Sequence, residues 1–159
     1  MVSENIGIAV NSLAKESPSS PLQKDRTGKN ILIVEDNQDI LKLLKFLMTQ
    51  EGYAVETADG AKAAMELLYT STPDVVLMDI RLWTAPTAAN GMIGMDGLEL
   101  TRLIKLAPLS KKVKVVAVSA MDTAGAIQEA YEAGCDGYIT KPVDVRTFAS
   151  NVQQYLDVE

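Results

Sequence analysis

The chain has 159 residues, of which 47% are hydrophobic, and a formal net charge of −6, which fits one globular domain rather than a membrane protein or a nucleic-acid-binding protein with a basic patch. No apolar run approaches the ~20 residues of a transmembrane helix, and the lone Cys135, which cannot form an intramolecular disulfide, fits a reducing, cytoplasmic setting. The sequence contains no histidine, which excludes Ser-His and Cys-His catalysis, histidine metal sites and a phosphohistidine on this chain.

The first 28 residues differ in composition from the rest of the chain. The stretch SPSSPLQKDRTG is rich in serine, proline and charged residues, which is typical of a linker. Before it, Ile6, Val10 and Leu13 form at most one stripe of a short helix. We therefore predict a flexible N-terminal tail over residues 1–28 and one folded domain over residues 29–159.

From Asn30 onward, strand patterns alternate with helix patterns. The strands are predicted in NILIVE, YAVETA, DVVLMD, KVVAVSA and GYIT, and the helices in residues 38–51, GAKAAMELLYTS, GLELTRLIKLA, residues 123–133 and DVRTFASNVQQYL. The residues at helical spacing that should face the core are Ile40, Leu44, Leu47 and Met48 in the first helix, Ala63, Leu67 and Leu68 in the second, and Val145, Phe148, Val152 and Leu156 in the last.

Five strands that alternate with five helices predict an α/β fold, with a parallel sheet covered by helices on both faces. The segments ILIV, VVLM and VVAV are apolar at every position, so these strands should be central. The more polar YAVETA and the short GYIT suit the edges. This arrangement matches a doubly wound five-stranded sheet with the strand order 2-1-3-4-5.

Polar residues follow four of the strands at their carboxyl ends, where ligands bind in parallel sheets. Glu35 and Asp36 follow the first strand, Asp79 the third, Ser119 the fourth and Lys141 the fifth. Because the first and third strands are neighbours in the predicted order, the three carboxylates should converge. Ser119 and Lys141 should flank them.

Three carboxylates that lie close together repel one another unless a cation binds among them, and oxygen ligands with open positions suit Mg²⁺. Lys141 provides a positive charge for phosphate, and Ser119 provides a hydroxyl donor. These groups around one carboxylate describe a phosphoryl-transfer site in which Asp79 is the nucleophile and forms an acyl phosphate. Taken singly, Asp36 and Ser119 are also suited to cap the helices that follow them.

The segments ILIVEDN, VVLMDIRL, VVAVSA and GYITKPV together resemble the response-regulator receiver domain of two-component signalling, over about residues 29–157. The resemblance implies a flavodoxin-like fold and phosphorylation of Asp79. It also implies that Mg²⁺ is held by Glu35, Asp36, Asp79 and the backbone carbonyl of Arg81, with Glu35 acting through water.

The same resemblance implies roles for residues of the fourth and fifth strands. Lys141 would contact the phosphoryl group and would precede a cis bond to Pro142. Ser119 and Tyr138 would form a switch pair, in which the serine hydroxyl moves to the phosphoryl oxygen and the tyrosine ring turns inward. The alternative for Tyr138 is an ordinary aromatic residue of an edge strand.

One segment departs from the family pattern, which places a proline soon after the phosphorylated aspartate and then an Asp-Gly pair that opens the third helix. Here Asp96 and Gly97 come much later, after the stretch WTAPTAANGMIGM. We predict an extended loop at about residues 82–95, which carries Trp83 and is either a lid over the site, an anchor for a partner or a neutral insertion.

The resemblance implies a switch protein that accepts its phosphoryl group from a histidine kinase or a phosphotransfer protein. Output would be binding to a downstream protein, onward phosphorelay or dimer formation on phosphorylation, without nucleic acid or membrane. The chain ends soon after the fifth helix, so we expect no separate output domain, although it resembles receivers of hybrid histidine kinases as well. An aspartyl-phosphate phosphohydrolase is the rival reading, but it would need a second aspartate where Arg81 stands. The spacing of the glycines also lacks the patterns of nucleotide-binding loops.

Overall fold

Five parallel strands form one sheet in the computed structural model, which describes residues 28–82, 95–107 and 112–157. The strands are β1 (Asn30–Val34), β2 (Ala54–Ala58), β3 (Val75–Asp79), β4 (Lys114–Ser119) and β5 (Gly137–Thr140). Their order is β2-β1-β3-β4-β5, and every neighbouring pair is parallel. The predicted strand order, with the more polar strands at the edges, is therefore confirmed.

Within the residues that the structure describes, five helices connect the strands and cover both faces of the sheet. They are α1 (Gln38–Gln50), α2 (Ala61–Thr70), α3 (Gly97–Leu106), α4 (Ala124–Ala133) and α5 (Phe148–Leu156). One core cluster joins the sheet to α2, α3 and α4, and the other joins it to α1 and α5. The three central strands are buried between these clusters, which explains why their sequences are apolar without alternation. Within the described ranges, no helix is long and apolar enough to cross a membrane.

The helix caps differ from those that the sequence suggested for two site residues. Asn37, not Asp36, caps α1, because the Asn37 side chain accepts hydrogen bonds from the backbone N–H groups of Asp39 and Ile40. Thr123, not Ser119, caps α4. Neither Asp36 nor Ser119 therefore serves as the cap of the helix that follows it.

The inward face of two helices also differs from the prediction. Leu41, which the predicted stripe of α1 omits, is buried together with Leu44 and Met48. Val145 was predicted to face the core, but this prediction is wrong, because Val145 is 55% exposed and precedes α5. The residues before α5 form a turn, in which the Asp144 side chain accepts hydrogen bonds from the backbone N–H and the guanidinium of Arg146.

The predicted tail over residues 1–28 lies outside the described residues apart from Gly28, and so does most of the predicted loop at 82–95.

Candidate functional site

Three carboxylates meet at the carboxyl end of the sheet. Glu35 follows β1, Asp36 comes next, and Asp79 is the last residue of β3. One oxygen from each carboxylate lies within 4.8 Å of the others. Glu35 and Asp79 are 2% and 5% exposed, whereas Asp36 is exposed. The structure thus brings together the three acidic residues that the sequence placed after neighbouring strands.

Backbone hydrogen bonds between strand ends hold these residues in register. The N–H of Glu35 donates to the carbonyl of Ala58 at the end of β2, at 3.0 Å, and the N–H of Lys141 donates to the carbonyl of Ser119 at 2.8 Å. The second bond extends the β4–β5 ladder by one residue beyond the pair Ser119 and Thr140. The hydrogen-bonded main chain therefore fixes the backbone positions of the functional residues.

Lys141 provides the positive charge of the site. Its Nζ lies 2.7 Å from Oε2 of Glu35 and 3.8 Å from Oδ1 of Asp79, and its side chain is only 15% exposed. The other oxygen of Glu35 accepts a hydrogen bond from the N–H of Asn37. The buried Glu35 is thus fully paired, and the predicted cis bond between Lys141 and Pro142 is present.

The negative charge of Asp79 is less well compensated by its neighbours than that of Glu35. Burial and then the charge of Glu35 raise the pKa of Asp79 from 3.8 to about 6, and a contact with Asp36 adds to this, while Lys141 and the N–H of Arg81 lower it. The balance shows that the site disfavours a full set of negative charges when only Lys141 opposes them. Oxygen ligands with surplus negative charge fit a hard divalent cation such as Mg²⁺. The donor set therefore fits the metal that the sequence suggests.

Ser119 and Tyr138 are joined through the backbone of one residue. The Oγ of the fully buried Ser119 accepts a hydrogen bond from the N–H of Met121 at 3.2 Å. The hydroxyl of Tyr138 donates to the carbonyl of the same Met121, and the half-buried Tyr138 ring packs against the core on the α2, α3 and α4 side. The two residues predicted to form a switch pair thus share Met121 as a neighbour.

Met121 is a functional candidate that the sequence analysis missed. Besides its two backbone contacts, its sulfur accepts a contact from Nε of Arg81 at 3.1 Å. The Arg81 side chain therefore reaches from the end of β3 to the β4–α4 turn, while the N–H of Arg81 donates to Oδ1 of Asp79 at 3.0 Å. The only signal in the sequence is that Met121 stands two residues after Ser119, in a turn that must bend back toward β5. The use of the Arg81 carbonyl as a metal ligand stays a prediction.

The start of α3 is fixed directly against the end of β3. The N–H of Gly97 donates to the carbonyl of Ile80 at 3.1 Å, and Asp96 caps the helix by accepting from the N–H of Glu99 at 2.9 Å. A Cβ on Gly97 would lie 2.1 Å from the carbonyl oxygen of Asp79. The Asp-Gly pair thus opens α3 beside the site in spite of the long segment that precedes it. The loop ends at Leu82 and Met95 are described, but the segment with Trp83 that was predicted to be a lid or an anchor is not.

Known proteins share this architecture and sequence pattern. The family model of the response regulator receiver domain matches residues 31–153. The polar-differentiation response regulator DivK of Brucella anthropi is 33% identical over 129 residues, which are 80% of this chain and 96% of DivK. A CheY-like response regulator receiver domain protein of Methanospirillum hungatei has a TM-score of 0.68 and 29% identity, over 81% of this chain and 94% of that one. The chemotaxis protein CheY4 of Vibrio cholerae, with a TM-score of 0.69 and 22% identity over 80% and 98% of the chains, supports the fold alone.

Proposed function

The chain belongs to the response regulator receiver domain family of two-component signalling, and we propose that it is a switch protein controlled by a phosphoryl group on Asp79. The observation that carries the proposal is the position of Asp79. It is a buried carboxylate at the end of a central strand, with two further carboxylates close by and the Lys141 ammonium 3.8 Å away. For folding alone, an uncharged residue would serve better at this buried position, so the carboxylate points to a chemical role.

Mg²⁺ would be held by the carboxylates of Glu35, Asp36 and Asp79, together with the backbone carbonyl of Arg81. When bound, the cation neutralises charge on the carboxylates and on the oxygens of the transferred phosphoryl group. The raised pKa of Asp79 and the short distances among the three carboxylates support this assignment. The direct contact between Lys141 and Glu35 argues that Glu35 is the carboxylate least available to the ion.

The proposed reaction is the transfer of a phosphoryl group from a phosphohistidine, which must lie outside these 159 residues because they contain no histidine. A carboxylate oxygen of Asp79 attacks the phosphorus, the new P–O bond forms, and the P–N bond to the imidazole of the donor breaks. The electron pair of that bond stays on the imidazole nitrogen, which then takes a proton from solvent. Lys141 exchanges part of its contact with Glu35 for the new phosphoryl oxygens, and the rigid strand holds Asp79 in line.

The phosphoryl group would be read by Ser119 and Tyr138. When the Ser119 hydroxyl turns to donate to a phosphoryl oxygen, the N–H of Met121 loses its acceptor. The carbonyl of Met121, which holds the Tyr138 hydroxyl, belongs to the same turn. A ligand shifts a two-state equilibrium only by its different affinity for the two states, and this contact provides the difference.

The changed surface would be that of α4, β5 and α5, because Ser119 and Tyr138 lie at the ends of the elements that bound it. The partners are a histidine kinase or phosphotransfer protein as donor and a downstream protein that binds this surface or receives the phosphoryl group, in the cytoplasm. Transfer in vitro from the labelled chain to a phosphotransfer domain separates the relay role from the adaptor role.

The test is labelling of the full chain with a small phosphoryl donor, with and without Mg²⁺. We expect Mg²⁺-dependent labelling of the wild type and none of Asp79→Asn, because the amide is a poor nucleophile. Asp36→Ala should weaken Mg²⁺ binding and so raise the Mg²⁺ concentration that half-maximal labelling requires. The matched control is Asp96→Ala, which removes another carboxylate, the cap of α3, and should raise this concentration less. Intact labelling of Asp79→Asn would overturn the proposal.

A further inference from the structure

In the described part of the chain, the three elements α4, β5 and α5, whose surface is called here the tyrosine face, contain no lysine or arginine. No lysine or arginine occurs in residues 115–140 or 147–159, although both segments contain aspartate or glutamate. By contrast, α1, α2 and α3 each carry at least one lysine. The described cations that flank the tyrosine face include three that are already paired: Lys105 with Asp136, Lys141 with Glu35, and Arg146 with Asp144. The face therefore presents anionic and neutral groups without a positive counterpart of its own.

Each of the three elements of this face carries a tyrosine. Tyr131 of α4 is 49% exposed, and Tyr138 belongs to β5. Tyr155 of α5 lies over the start of the edge strand, where a Cβ on Gly137 would approach its ring carbon Cζ to 2.2 Å. Burial first and the neighbouring Tyr131 second raise the pKa of Tyr155. The missing side chain of Gly137 thus lets the Tyr155 ring lie directly against the start of the edge strand.

An exposed carboxylate comes next to Tyr131 in the sequence of α4. Glu132 follows Tyr131 in α4, and its Oε1 accepts a hydrogen bond from Nε2 of Gln128 at 2.9 Å. An amide partner leaves the negative charge of Glu132 uncompensated. Aromatic ring faces attract cations, most strongly arginine, and a nearby carboxylate adds to this attraction.

We propose that the tyrosine face binds a cationic, arginine- or lysine-rich segment of the partner protein, with Tyr131 as the stacking surface and Glu132 as the ion-pair partner. This proposal rests on the proposed function, for which it specifies the chemistry of the downstream partner. A second copy of this chain is disfavoured as the occupant. An interface between two copies about a twofold axis pairs each surface patch with itself, and this patch has no cation to meet its own carboxylate.

The test uses the full-length, isotope-labelled chain and an acetylated, amidated hexa-arginine peptide as the probe, in about 0.15 M salt to screen diffuse attraction. Backbone amide shifts are followed in the unmodified state and with Mg²⁺ and beryllofluoride as a phosphoryl mimic. We expect the largest shifts at Tyr131, Glu132 and Tyr155, and none with a hexa-glutamate peptide.

Matched variants separate the ring from the fold. Tyr131→Ala should raise the dissociation constant about two- to fivefold, whereas Tyr131→Phe, which keeps the ring, should not. Tyr69→Ala removes a tyrosine that is 86% exposed on α2 and should leave the constant unchanged. Shifts spread evenly over the protein, an unaltered affinity of Tyr131→Ala, or dimerisation through this face in sedimentation experiments would each overturn the proposal.

The two proposals can fail separately. Cation recognition is read from the difference between wild type and Tyr131→Ala within one state of the protein. The phosphorylation switch is read from the difference between the unmodified and the beryllofluoride-bound wild type.

Discussion

Asp79→Asn should stabilise the folded protein when divalent cations are absent. Asp79 is 5% exposed, and burial, followed by the charge of Glu35, raises its pKa from 3.8 to about 6. At ~1.4 kcal/mol for each pH unit between the two values, ionisation of Asp79 costs the native state up to about 3 kcal/mol at neutral pH. The amide keeps the shape of the side chain and an acceptor for the N–H of Arg81. We expect the free energy of unfolding to increase by about 1–3 kcal/mol.

The pH dependence of this difference has a defined sign. The folded protein holds the Asp79 proton more tightly than the unfolded chain does, so this group contributes a stability that is present below pH 3.8 and is lost as the pH rises to about 6. The advantage of Asp79→Asn should therefore be absent near pH 4 and complete at pH 7. Groups that do not interact with Asp79 contribute equally to the stability of both proteins, and their contributions cancel in the comparison.

Urea unfolding followed by far-UV circular dichroism, in the presence of a chelator, measures this difference. Glu129→Gln is the matched control, because it makes the same change from carboxylate to amide at an exposed position of α4. Added Mg²⁺ should stabilise the wild type and reduce the advantage of Asp79→Asn, since a ligand stabilises only the protein that binds it. If Asp79→Asn is no more stable than the wild type at pH 7 without Mg²⁺, the electrostatic description of the site is wrong.

Three further predictions address the surroundings of Asp79. Gly97→Ala should lower the free energy of unfolding by about 1–3 kcal/mol and slow phosphorylation, because its Cβ would lie 2.1 Å from the β3 backbone. The control Gly125→Ala in α4 has no atom within 4 Å of the added Cβ and should be neutral or stabilising by up to ~1 kcal/mol. Ser119→Ala should permit phosphorylation but abolish the change in the Tyr138 ring signals that beryllofluoride produces in the wild type; an unchanged response would refute the switch pair. Arg81→Ala should shorten the lifetime of the acyl phosphate about two- to tenfold, the effect of losing one contact of ~0.5–1.5 kcal/mol between Arg81 and Met121. An unaltered hydrolysis rate would show that this contact does not stabilise the phosphorylated state.

The sheet was predictable because the polarity of each strand indicates whether the strand lies at the centre or at the edge. A strand that is buried on both faces must be apolar throughout, and only β1, β3 and β4 meet this condition. With these strands central, the pattern matches the doubly wound order, and in that order Glu35, Asp36 and Asp79 converge because the carboxyl ends of parallel strands share one edge. These inferences need only periodicity and topology.

Local competition among polar residues was not predictable in the same way. Asp36 and Asn37 are both good caps, and the sequence does not show which of them bonds the first turn of α1. The error at Val145 has a similar origin. Its spacing fits the apolar stripe of α5, but Asp144 and Arg146 form a local turn that delays the start of the helix to Phe148.

Met121 escaped prediction because its main role is played by its backbone. A side chain that binds a ligand has a chemical signature in the sequence, whereas any residue can offer an N–H to Ser119 and a carbonyl to Tyr138. Since both bonds end on the same residue, Ser119 cannot withdraw its hydroxyl without leaving a donor that the turn must satisfy elsewhere, and the carbonyl that holds Tyr138 moves with it. In the proposed switch, the β4–α4 turn would therefore couple phosphorylation to the tyrosine face. Substitutions that stiffen or shorten this turn should alter the switch more than conservative changes in the Met121 side chain do.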